Sequence, residues 1–166
     1  MIARSGRAAG PAVSRVRPGA DSTTGGAWVA AAREMRMAAE AKPDLSGLRI
    51  LVVEDWLLVA DEIEWMLEQL GCQVIGPVPR LSLALAMIKR ERIDGAILDV
   101  NLGDEPVFPV ADELRRRHVP FIFATGYDRG VFPPEYADHP RLSKPFSLRE
   151  LRETLADHLL AHPNLS

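Results

Sequence analysis

From Arg49 onward the chain alternates short, continuously apolar runs with longer stretches in which apolar positions recur every three or four residues. Arg49–Ile50–Leu51–Val52–Val53 is such a run, apolar at consecutive positions, as expected of a strand covered on both faces. Leu58 to Leu70 then carries Val59, Ile63, Met66, Leu67 and Leu70 at helical spacing, with Gly71 where a helix stop belongs. Cys72 to Gly76 predicts a second strand, Leu81, Leu85 and Ile88 a second helix, and Gly95 to Leu98 a third strand. Val110, Ala111 and Leu114 mark a third helix entered through Pro109, a residue tolerated in the first helical turn. Pro120 to Ala124 predicts the fourth strand and Arg141 to Ser143 the fifth. Between these two, Gly126, Gly130, Pro133 and Pro134 argue against a regular helix. Ser147 and Glu150 have the spacing of a capping box, and Leu148, Leu151, Leu155 and Leu159 give the last helix one apolar face. Alternation of strand and helix predicts an α/β domain, a parallel sheet with helices on both sides.

Residues 1–45 differ from this pattern and read as a disordered or partly helical extension, with the α/β domain over 46–162. Arg4, Arg7, Arg15 and Arg17 precede the first acid, Asp21, and no apolar stretch of a secretory signal follows. An organelle transit peptide, a disordered extension and a true start at Met35 or Met37 all fit this composition. Ala27 to Glu40 is rich in helix formers, with Trp28, Ala31, Met35 and Ala38 on one face. A net charge of −3 lends no support to nucleic-acid binding. The single cysteine, Cys72, excludes an internal disulfide framework, and no apolar run is long enough to cross a bilayer. These features predict a cytoplasmic chain with no membrane or nucleic-acid partner.

In an open parallel sheet, ligands bind beyond the carboxyl ends of the strands. The first strand runs into Glu54–Asp55, the third into Asp99–Val100–Asn101, the fourth into Thr125–Gly126 and the fifth into Ser143–Lys144–Pro145. Parallel strands point the same way, so these residues converge on one rim. Like charges about 4 Å apart repel by about 4 kcal/mol at an effective dielectric of about 20. Three carboxylates therefore stay ionised together only beside a cation. Mg²⁺ suits them, because it takes oxygen ligands and keeps several waters. The expected ligands are Asp55, Asp99, the backbone carbonyl of Asn101 and, through water, Glu54. Lys144 supplies a fixed positive charge and Thr125 a hydroxyl donor for phosphoryl oxygens, with Asp99 as the nucleophile.

Glu54–Asp55, Ile97–Leu98–Asp99, Ala124–Thr125 and Ser143–Lys144–Pro145–Phe146, in this order, resemble the receiver domains of two-component response regulators. The resemblance covers roughly Leu48 to Ala161. It implies a flavodoxin-like, doubly wound, five-stranded sheet in the order 2-1-3-4-5 and a cis bond before Pro145. It further implies phosphotransfer from a histidine kinase or a histidine phosphotransfer protein, with slow self-dephosphorylation and no enzymatic turnover beyond it. Receivers carry an aromatic switch residue where this chain has Arg141. Phe121–Ile122–Phe123–Ala124–Thr125–Gly126–Tyr127 is similar to the FATGUY receivers, which mostly stand alone, and Tyr127 is the candidate for the missing aromatic's part. Output is then expected through a partner protein, or through competition for phosphoryl groups.

Two other functions compete. A phosphohydrolase with an aspartate nucleophile often carries a second acid where this chain has Asn101, and lacking that general acid it would turn over unactivated esters poorly. A phosphorylation-independent interaction domain has no need of the complete set of site residues. His118, His139, His158 and His162 show no convincing metal-ligand spacing, and helix C-termini account for His118 and His158. Trp56 reads as core packing in preference to a wall of the site, Trp65 as a surface anchor, and Arg115–Arg116–Arg117 as a solvated helix face.

Overall fold

Strand β1, Arg49–Val53, illustrates how the sequence is sorted into layers. Ile50 and Val52 pack on one side of the sheet with Ile97, Ile122 and Ala124. Leu51 and Val53 pack on the other with Ala96, Leu98, Phe121 and Phe123. Successive strand residues point to opposite faces, so a strand apolar at every position feeds two cores at once. The computed structural model describes residues 29–34, 44–126 and 132–160. The chain falls into two units, Met1–Lys42 and Pro43–Ser166. In the first, residues 29–34 are helical and exposed, within the stretch expected to be helical. Trp28, Met35, Met37, Ala38, the N-terminal arginines, Tyr127 and His162 lie outside the described residues.

In the second unit, β1 is followed by α1 (Leu57–Gln69), β2 (Gln73–Val78), α2 (Leu81–Arg90) and β3 (Gly95–Asp99). A short hairpin comes next, β4 (Asn101–Leu102) and β5 (Glu105–Pro106), then α3 (Phe108–Arg116) and β6 (Phe121–Thr125). A 3-10 turn over Pro134–Tyr136 leads to β7 (Arg141–Ser143), α4 (Leu148–Leu155) and a π turn over Ala156–Leu160. The five strands outside the hairpin form one parallel sheet in the order β2-β1-β3-β6-β7. This is the doubly wound order that the resemblance implied.

Side chains of α1 and α4, among them Ile63, Leu67, Leu151 and Leu155, cover one face. Ala84 and Ile88 of α2 and Val110, Ala111 and Leu114 of α3 cover the other. Each of the fully buried leucines, isoleucines and the valine among them contributes about 1.5–3 kcal/mol. Gly71 ends α1 at φ 77°, where a Cβ would meet Ser46 Oγ at 2.8 Å, so the stop expected there is enforced by backbone and by space. Ser147 and Glu150 form the reciprocal capping box at the start of α4.

Several expectations change. The second strand begins at Gln73 and continues through Pro77 to Val78, which an edge strand tolerates because its outer N–H groups need no partner. The final helix is not α-helical to Leu159; it widens into the π turn after Leu155, and Leu159 stays buried. The β4–β5 hairpin was not expected at all.

Candidate functional site

The chain passes from β1 out to β2 and then back to β3, so the crevice above the β1 and β3 ends is left open by the winding. Glu54 continues the ladder there, its N–H donating to Val78 O at 3.1 Å. That places its carboxylate in the crevice with only 2% of the residue exposed. The adjoining Asp55 is exposed, and Asp99 closes β3 in register with Ala124. Each of the three acids offers one oxygen, and these oxygens lie within 4.8 Å of one another.

Lys144 enters from the far side of the crevice. Its backbone N–H donates to Thr125 O at 2.7 Å, extending the β6–β7 ladder by one step. From that anchor its Nζ reaches Asp99 Oδ2 at 3.1 Å and donates to Glu54 Oε2. Burial pushes the Glu54 carboxyl above its ordinary pKa; the Lys144 amine opposes this and the neighbouring Asp99 charge adds to it. Thr125, the last residue of β6, pairs with Ser143 and lines the same cleft. The peptide bond between Lys144 and Pro145 is cis.

Asn101 owes its usefulness to register. Val107 N–H donates to Val100 O at 3.0 Å, which makes Asn101 and Pro106 the non-hydrogen-bonded pair of the hairpin. In such a pair the N–H and C=O groups point away from the partner strand, so the ladder leaves the Asn101 carbonyl unused. Glu54, Asp55, Asp99, Asn101, Thr125 and Lys144 all line one cleft of about 560 Å³. Carboxylate and carbonyl oxygens with no sulfur or imidazole among them form a donor set for a hard divalent cation such as Mg²⁺. The residues present therefore fit that ion.

Trp56 corrects the expectation of core packing. It is 69% exposed and walls the cleft beside Val59, Ile63, Met66 and Phe146. It directly precedes α1, and its N–H donates to Glu54 Oε1 at 3.2 Å. Trp65 is exposed, as expected of a surface anchor. Arg116 and Arg117 both pair with Glu113, whose carboxyl they hold down at about 2. Among the described residues, no histidine lines the cleft.

Two features escaped the sequence reading. Gly103, at the hairpin tip, donates its N–H to Asp55 Oδ2 at 2.8 Å. Beside the site, Phe123 is ringed by Phe108, Phe121, Phe132, Tyr136 and His139, with centroids 5.2–6.0 Å away. Tyr136 is buried and donates to Asp112 Oδ1 at 2.6 Å. Arg141, at the position of the absent aromatic switch, lies 4.1 Å over the Phe132 ring and donates to the carbonyls of Tyr136, Ala137 and His139. Among the described residues, no helix is long and apolar enough to cross a membrane.

Comparison with known proteins adds four findings. The family profile of the response regulator receiver domain matches residues 50–156. The sensory transduction protein LytT of Bacillus cereus is 32% identical over 114 residues, which cover 65% of this chain and 46% of that protein. The chain thus spans about half the length of the curated relatives it matches. The solution structure of SdrG from Sphingomonas melonis Fr1 superposes with a TM-score of 0.63 at 42% identity, over 69% of this chain and 97% of that one. The receiver domain of the sensor histidine kinase PA1611 from Pseudomonas aeruginosa PAO1 superposes with a TM-score of 0.59 at 27% identity, over 69% and 98%. That structure has a magnesium ion coordinated in its active site cleft.

Proposed function

Because the chain belongs to the response regulator receiver family of two-component signal transduction, we propose that residues 46–162 accept a phosphoryl group on Asp99 in a Mg²⁺-dependent reaction. The donor is the phosphohistidine of a histidine kinase or a histidine phosphotransfer protein. The observation that carries this reading is the Lys144 amine, 3.1 Å from Asp99 Oδ2, in a cleft that also gathers Glu54 and Asp55.

An Asp99 carboxylate oxygen attacks phosphorus, the P–N bond to the donor imidazole breaks, and the leaving nitrogen takes up a proton. Lys144 holds a positive charge beside the attacking carboxylate and faces the oxygens of the transferring group. The Thr125 hydroxyl donates to one of those oxygens. Asp55, Asp99 and the Asn101 carbonyl would hold the ion, with Glu54 acting through water. Bound Mg²⁺ supplies charge neutralisation for the acids and the phosphoryl oxygens. The product is an acyl phosphate that hydrolyses slowly and without other turnover.

On this reading the domain works in the cytoplasm. It signals through a partner protein or acts as a phosphate sink, and resembles the FATGUY receivers, which mostly stand alone. The test is intact-mass analysis after incubation with Mg²⁺ and acetyl phosphate. The wild type is expected to gain one phosphoryl group and Asp99→Ala none. A wild type that gains nothing, or an Asp99→Ala variant that gains as much, overturns the proposal.

A further inference from the structure

The three acids of the cleft are held by different means. Glu54 and Asp99 both face the Lys144 amine, whereas Asp55 lies outside its hydrogen-bonding reach. Asp55 is exposed, on the link between β1 and α1, where a carboxylate is free to turn among rotamers. Among the described residues, one donor reaches it: the N–H of Gly103, 2.8 Å from Oδ2. That N–H is available because of the turn. Gly103 and Asp104 link β4 to β5, with φ +62° at Gly103 and no positive φ at Asp104, the sign pattern of a type II′ hairpin. In such a turn the ladder closes through Leu102 and Glu105, and the first central N–H is left pointing outward.

Building on the phosphoacceptor reading, we propose that Gly103 is a positioning residue for the cation. Its backbone N–H fixes the Asp55 carboxylate so that the three acids are gathered before the ion arrives. The hairpin that follows Asp99 thus sets two groups, the Asn101 carbonyl by register and the Asp55 carboxylate by a hydrogen bond. Groups that orient a metal ligand typically change metal affinity by about ten- to a hundredfold when lost.

The geometry supplies a discriminating test. A Cβ at Gly103 would meet nothing closer than Asp55 Oδ2 at 4.0 Å, so space is not what excludes a side chain there. Backbone conformation is, and the positive-φ positions of primed turns accept asparagine far better than a β-branched residue. Calorimetric titration of the full chain with Mg²⁺ is expected to give binding about tenfold weaker in Gly103→Val. Gly103→Asn is expected to bind within about twofold of wild type.

A second measurement does not depend on how these variants fold. In the chain without divalent ions, Asp55→Ala is expected to speed hydrogen exchange at the Gly103 amide by about tenfold, the loss of one hydrogen bond. Gly103→Val binding as tightly as wild type, Gly103→Asn binding as weakly as Gly103→Val, or unchanged amide exchange in Asp55→Ala would each overturn the inference and leave the phosphoacceptor reading intact. A wild type that binds no Mg²⁺ would overturn both.

Discussion

The acid cleft and the aromatic cluster stand side by side on the same strands. β6 sends Phe121 and Phe123 into the cluster and ends on Thr125 at the cleft. β7 begins with Arg141 over Phe132 and leads into Lys144 beside Asp99. The two regions nevertheless obey opposite rules. The cleft packs like charges together, and burial there pushes Glu54 toward its neutral form, a burden on folding that the proposed phosphoacceptor role accounts for. In the cluster, rings meet edge to face or stacked and nearly every polar tip has a partner. Chemistry and stability therefore draw on different residues a few ångströms apart.

The largest expected effect separates the two by function. Asp99→Asn should abolish the phosphoryl mass gain entirely while shifting urea stability by no more than about 1 kcal/mol, because relief of repulsion by Glu54 and Asp55 offsets the lost pair with Lys144. The reciprocal change is Phe123→Ala. It should cost about 3–5 kcal/mol in urea unfolding, by opening a cavity among five rings. Below its unfolding transition that variant should still take up a phosphoryl group, and failure to do so would show that the regions are coupled.

Tyr136→Phe keeps the ring and removes one hydrogen bond to Asp112, for an expected loss of about 1 kcal/mol. The smallest effect concerns protons. His139 stacks on Phe121 at 4.1 Å with Nε2 against Phe121 O, and burial lowers its pKa from the ordinary 6.5, with Arg115, Arg141 and His158 adding to the shift. The unfolded chain then binds that proton more readily than the folded one. Stability should fall as pH drops through and below 6.5, and His139→Phe should flatten that slope in urea titrations at successive pH values.

What could be read in advance follows the same division. Glu54, Asp55, Asp99, Thr125 and Lys144 each follow a run of strand residues, and the period of those runs carries them to one rim. The cluster has no period to betray it, since Phe108, Phe132, Tyr136 and His139 come from a helix start, an irregular run and a 3-10 turn. Each strand of the β4–β5 hairpin is two residues long, too short for alternation to show. The Gly103–Asp104 pair was its one local sign. Trp56 misled because bulky aromatics are usually well buried, whereas the position just ahead of α1 turns this one to solvent.

The margins of the sheet carry a consequence of their own. On one side β2 bears Pro77, and its register with β1 shifts between Leu51 and Val53. On the other, β7 is three residues long and presents the charged Arg141. A missing donor, a broken ladder, a short strand and a cation all discourage a foreign strand from adding itself on. Fibril-like growth along either backbone edge is thereby disfavoured, which leaves side-chain surfaces as the readier route to self-association.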